Sequence, residues 1–91
     1  MRAFEVLVNG ERQCVAGIGD SGVLTTVVNL SIHHGNGAFF IDVGGLVSET
    51  KEHVNWVSQK PLFVGDDVQI RIVETDAVDS PLDKYRLDPT S

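Results

Sequence analysis

The sequence predicts an all-β domain, a small antiparallel sandwich or partly open barrel of about five to six strands. Three observations point there. Val68, Ile70 and Ile72 alternate with Asp67, Gln69 and Arg71, a period-two pattern that sends β-branched side chains to one face and polar ones to the other. Asn9-Gly10 separates two further runs of this kind, and that dipeptide suits a type I′ turn, which needs φ > 0 at both central positions. Gly19 to Gly22 and Gly35 to Gly37 punctuate segments rich in Val, Thr and Ile and are expected as further hairpin turns.

The elements follow in order. Phe4, Val6 and Val8 alternate with Ala3, Glu5 and Leu7. This is a strand, and Leu7 implies that both faces are partly covered. Arg12 to Ile18 is the return strand, with Cys14, Ala16 and Ile18 on one side. Its small residues leave room for Phe39 or Trp56 to pack over them.

Gly17-Ile18-Gly19-Asp20-Ser21-Gly22 fits the G-x-G-x-x-G pattern, and Asp42 lies 20 positions beyond Gly22. A dinucleotide site needs that pattern to open a helix aimed at a pyrophosphate, inside repeated βαβ units. Here the next ten residues, Val23 to Ile32, hold Val, Thr or Ile at six positions. Asp20 would also set a negative charge beside the phosphates. A glycine-rich hairpin loop is expected instead.

Read as a strand, Val23 to His33 lines Leu24, Thr26, Val28, Leu30 and Ile32 along one face. A helix over 23–33 would gather Leu24 with Val28, and Val23 with Val27 and Leu30, making the fold α+β. The β-branched residues favour the strand, because they lose χ1 freedom in a helix. Ala38 to Val43 is the next strand, with Phe39, Ile41 and Val43 opposite Phe40 and Asp42, and Gly44-Gly45 ends or bulges it. For Ser48 to Lys60 two readings stand. One is a short helix over 49–58, capped near Ser48 and carrying Val54 and Val57. The favoured one is extended structure in which Val54 and Trp56 alternate with His53 and Asn55. Lys60-Pro61 then leads into Leu62 to Thr75, the expected centre of the core, whose Val/Ile face the rest of the chain has to cover.

Residues 1–75 are thus expected as a single β-domain. Residues 76–91 form an acidic segment with Pro81 and Pro89 in which Val78, Leu82, Tyr85 and Leu87 are the larger apolar residues. It reads as a solvated tail, or as an arm that docks on a partner or on a second copy of the chain.

Composition narrows the function classes. With 91 residues, 42% of them hydrophobic and 22% charged, the chain supports one modest core. No apolar run approaches the length of a membrane span. Met1-Arg2 leads directly into alternating sequence rather than an apolar signal region. The expectation is a cytoplasmic protein without a membrane partner. The single cysteine, Cys14, permits no intrachain disulfide. A formal charge of −6 with only seven scattered Lys and Arg argues against contact with a nucleic-acid backbone.

No set of residues assembles into chemistry. His33, His34 and His53 are the only histidines. Neighbours in a strand point to opposite faces, so His33 and His34 do not chelate together, and no metal or cofactor is assigned. Cys14 lies in a predicted strand, where a small core residue is expected rather than an activated thiolate. Ser21 lacks the G-x-S-x-G elbow. Asp66 with Asp67, and Glu49 with Glu52, fall on predicted turns, away from any cleft that would separate their pKa values. No catalytic residue is assigned.

What remains is surface. Phe39 and Phe40 are consecutive in a strand and face opposite ways, so one of them needs cover from elsewhere. Trp56 is either an interface anchor or the largest core residue. Together with His53, Leu82 and Tyr85 they form the candidate interaction surface. The expected function is a small acidic protein-binding module of the adaptor, inhibitor or immunity type, which binds another protein or itself and does no catalysis. The alternative is a small-ligand or carbohydrate-binding β-domain using Trp56.

Overall fold

The computed structural model of the chain describes residues 1–86; residues 87–91, with Leu87 and Pro89 of the expected arm, lie outside the described residues. Among the described residues there are seven strands: β1 (Arg2–Val8), β2 (Glu11–Ala16), β3 (Gly22–His33), β4 (Asn36–Val47), β5 (Glu52–Leu62), β6 (Val68–Glu74) and β7 (Asp83–Arg86). They form two antiparallel sheets, ordered β2-β1-β6 and β3-β4-β5-β7. The all-β expectation holds, in its sandwich form and with more strands than expected. Neither helical alternative occurs: 23–33 lies in β3, and 49–58 is a turn followed by β5.

Turn chemistry sets the hairpins. Asn9 (φ 53°) and Gly10 (φ 81°) are both left-handed, as are His34 (φ 50°) and Gly35 (φ 81°). Each pair is a two-residue turn whose twist matches the strands it joins. The glycine-rich segment before β3 behaves differently. It carries the chain from one sheet to the other, because β2 and β3 are not neighbours. The hairpin expected at Gly19 to Gly22 is therefore a cross-sheet connection, and it opens a strand rather than a helix.

The core lies between the inner faces of the sheets. Val6, Val8, Cys14 and Ala16 from the smaller sheet meet Ile41, Val43, Val54, Trp56, Val57 and Leu62 from the larger. Two irregularities in β5 shape its half. Val43 opposes Val57 while Gly44 opposes Asn55, so Trp56 is an extra residue, and both Trp56 and Val57 are buried. Further along, Ser58 and Gln59 fall between the partners of Ile41 and Val43, opposite Asp42. Gln59 takes φ 48° and gives its N–H to the Asp42 carboxylate at 2.7 Å, the two-against-one arrangement of a β-bulge.

After β6 the chain crosses between the sheets. Thr75 exchanges backbone hydrogen bonds with Met1, at 2.9 and 3.0 Å. Val78 and the Met1 side chain fill the space where a Cβ on Gly17 would sit. Leu82 then donates its N–H to the Asn55 carbonyl at 2.8 Å, and β7 pairs with β5. The segment expected as an arm from residue 76 bonds first to β2 of the smaller sheet, at Asp79, and then pairs with β5 of the larger sheet as far as residue 86.

One expectation is corrected. The stretch containing Val68, Ile70 and Ile72 is not the central strand. β6 is the outer strand of the smaller sheet. Alternation identifies the face a side chain takes; it does not say whether another layer lies above it.

Candidate functional site: the open side of the sandwich

The sheets are held together along β2 and β5 and part along β3 and β6. On β3, Thr26 and Val28 pair with Val43 and Ile41, both fully buried, so the even-numbered residues of β3 share the core face. On β6, Ile70 and Ile72 pair with Val6 and Phe4, on the core face of the other sheet. Yet Val28 is 50% exposed, Leu30 51%, Ile32 63%, Ile70 43% and Ile72 78%. These side chains point inward, and the described residues do not cover them. Between the strands runs a cleft of about 570 Å³ lined by Phe4, Leu24, Thr25, Thr26, Val27, Ile70 and Ile72. The Thr26 hydroxyl is buried there with no hydrogen-bond partner among the described residues, an arrangement that costs about 1–3 kcal/mol when left unmet.

The residues expected as an interaction surface do not converge. Phe39 packs against the core, and Phe40 lies half-buried on the opposite face of β4. His53 is also on that outer face, its ring stacked on Tyr85 at 5.1 Å. Leu82 is exposed on the connection before β7. Trp56 is only 5% exposed and gives its indole N–H to the Asp79 carbonyl at 2.8 Å. The open apolar strip, from Leu24 to Ile32 with Ile70 and Ile72, was missed as a site. A signal for it existed in the sequence: β3 runs from Gly22 to His33 without Lys, Arg, Asp, Glu or Pro.

Other groups with chemical potential are engaged in structure. Cys14 is buried, and burial, with the Asp79 carboxylate adding to it, pushes its thiol up to about 11. At neutral pH it is a protonated core residue rather than a nucleophile. Asp66 accepts hydrogen bonds from the Asn9 side chain at 3.0 Å and the Phe63 N–H at 2.7 Å. These hold its carboxyl below the usual range. His33 and His34 meet edge to face at 4.3 Å beside the β3–β4 turn. No three metal-ligating side chains gather among the described residues. No helix among them is long and apolar enough to cross a membrane. No known protein family, curated protein or solved structure matches the chain.

Proposed function

We propose that the chain is a small acidic protein-binding module, of the adaptor, inhibitor or immunity type, that acts by occupying a protein surface without catalysis. Its binding surface is the open side of the sandwich. The observation that carries this is Ile72, a core-face residue that is 78% exposed and continuous with a strip of other uncovered core-face aliphatics. Contiguous exposed apolar surface of this kind marks interaction sites in soluble proteins.

The shape of the cleft favours a polypeptide. It is open along its length and lined mostly by apolar side chains, with Thr25 and Thr26 the polar ones, whereas small-molecule sites are enclosed and carry several convergent polar groups. An extended chain could pair with the free edge of a strand and present an amide to the Thr26 hydroxyl. The carbohydrate reading needs an exposed Trp on a concave face, and Trp56 is buried. The net charge of −6 favours no phosphate-backbone partner. A cytoplasmic setting belongs to the proposal, in keeping with the free thiol of Cys14.

The test compares the wild type with Ile72→Lys and Leu30→Lys in affinity capture from the native host. Both residues are exposed in the single chain, so at a concentration where the chain is monomeric both variants should keep the wild-type melting temperature. A stoichiometric protein partner held by the wild type and released by both variants supports the reading. A partner retained by both variants moves the binding surface elsewhere and overturns it.

A further inference from the structure

We infer that the protein covering the open side is a second copy of this chain, joined edge to edge through β3. This rests on the protein-binding reading above and names its occupant.

A comparison of the four sheet edges carries the argument. β2 has its edge occupied by Asp79, whose N–H and carboxylate both bond to the backbone of Val15 at 2.8 Å. β7 spans four of the described residues and carries Asp83 and Lys84. β6 carries Glu74, and Arg71 in an ion pair with Glu5 at 3.2 Å. Short length, charge and cover are the devices by which monomeric proteins protect an edge. β3 has none of them. It is 12 residues long and uncharged, and it pairs with β4 in unbroken register from Gly22 to His33. A long, regular, uncharged edge is a template for another strand.

Electrostatics opposes self-pairing least at this place. Two copies of a chain with charge −6 repel over most of their surfaces. Along β3 they can meet with no charge opposed to charge.

The register follows from the hairpin. His33 and Asn36 flank a two-residue turn and therefore exchange both of their backbone hydrogen bonds. The Ser48 N–H to Ser21 carbonyl bond is in phase with them at the far end. The odd-numbered residues of β3 thus bond to β4. Leu24, Thr26, Val28, Leu30 and Ile32 turn their N–H and C=O groups to the free edge. A two-fold axis at Val28 sets Val28 against Val28 of the second copy, Thr26 against Leu30, and Leu24 against Ile32. That register satisfies every one of these free groups, with about ten hydrogen bonds. The same residues carry the uncovered core-face side chains. Pairing therefore joins the two larger sheets into one and continues the apolar face across the axis. The strip is its own complement.

The experiment is light scattering across a micromolar concentration range, with residue-resolved amide exchange on the same samples. The wild type should be a dimer. The amides of Leu24, Thr26, Val28, Leu30 and Ile32 should be as protected as those of Val23, Thr25, Val27, Asn29 and Ser31. Val28→Lys and Val28→Glu should each lose the dimer and the protection of the even-numbered set alone. Mixing the two should restore a dimer, since Lys then faces Glu across the axis. Mixed variants that stay monomeric overturn the axis at Val28. A dimer that survives Val28→Lys but is lost in Ile72→Lys overturns edge pairing and retains the open face. A wild type that stays monomeric overturns self-pairing; affinity capture then decides the open-face reading separately. The wild-type exchange pattern needs no variant, so free exchange of the even-numbered amides overturns the proposal even if a Val28 variant does not fold.

Discussion

Trp56 and Asp79 are joined across the two sheets: the indole N–H of Trp56, in the larger sheet, donates to the Asp79 carbonyl at 2.8 Å. Asp79 is in turn bonded twice to Val15 on the edge of the smaller sheet, once through its N–H and once through its carboxylate. One residue of the β6–β7 connection thus ties β2 to β5 and closes that side of the sandwich. Asp79→Ala removes the carboxylate from the Val15 N–H and should destabilise the fold by about 1–2 kcal/mol in a denaturant melt. Asp79→Asn, which keeps an acceptor, should cost less. Equal losses for the two variants would show that the bond to Val15 is not what the carboxylate supplies.

The two faces of exposure predict a contrast between isoleucines. Ile41 is fully buried and Ile72 largely exposed. Ile41→Ala should cost about 2–5 kcal/mol, as for other buried aliphatic truncations. Ile72→Ala should cost the isolated chain less than about 1 kcal/mol, because little of its apolar surface leaves water on folding. Matched denaturant melts at a concentration where the chain is monomeric check this. A loss at Ile72 as large as that at Ile41 would mean that β6 is covered within one chain.

Acid should loosen the loop that leads into β6. Asp66 has a folded pKa below its ordinary value of 3.8 because the Asn9 side chain and the Phe63 N–H bond to its carboxylate. The unfolded chain therefore binds its proton first as pH falls. The contribution is complete above the ordinary value and is lost as pH drops through the folded value. Asn9→Ala should flatten the fall in stability below about pH 4, measured by urea melts at a series of pH values. An unchanged acid limb in that variant would remove Asp66 from the account.

Alkali acts through Cys14. Its thiol is raised from 9.0 to about 11, mainly by burial. The unfolded chain loses this proton first, so the contribution is whole below pH 9 and is lost as pH rises toward 11. A thiol reagent at pH 8 should label the folded protein far more slowly than the protein in urea. Comparable rates would place Cys14 outside the core.

The sequence carried what depends on neighbouring residues. Asn9-Gly10 announced a type I′ turn because glycine and asparagine tolerate the left-handed conformation, and both positions have it. The alternation of Val6 with Cys14 and Ala16 across that turn gave the buried face correctly. The face of β3 was legible too, from Leu24 to Ile32. Its exposure was not, because cover depends on where another sheet lies. For the same reason β6 read as a central strand, and Gly19 to Gly22 as a hairpin. The consecutive burial of Trp56 and Val57 departs from strict alternation through a bulge, and nothing local in the sequence marks that extra residue. The pairing of β7 rests on contacts with β5 that a short acidic segment does not announce.

The pairing of β1 with β6 bears on how the chain reaches its structure. β3, β4 and β5 are joined by successive hairpins, so the larger sheet can assemble from local contacts. The smaller sheet needs residues 2–8 to find residues 68–74, a distant encounter whose loop-closure entropy slows it. β1 is therefore among the last strands to gain both neighbours. Through that interval the uncharged β3 is already a finished edge in a half-finished molecule, and chains folding close together are most exposed to misassembly there.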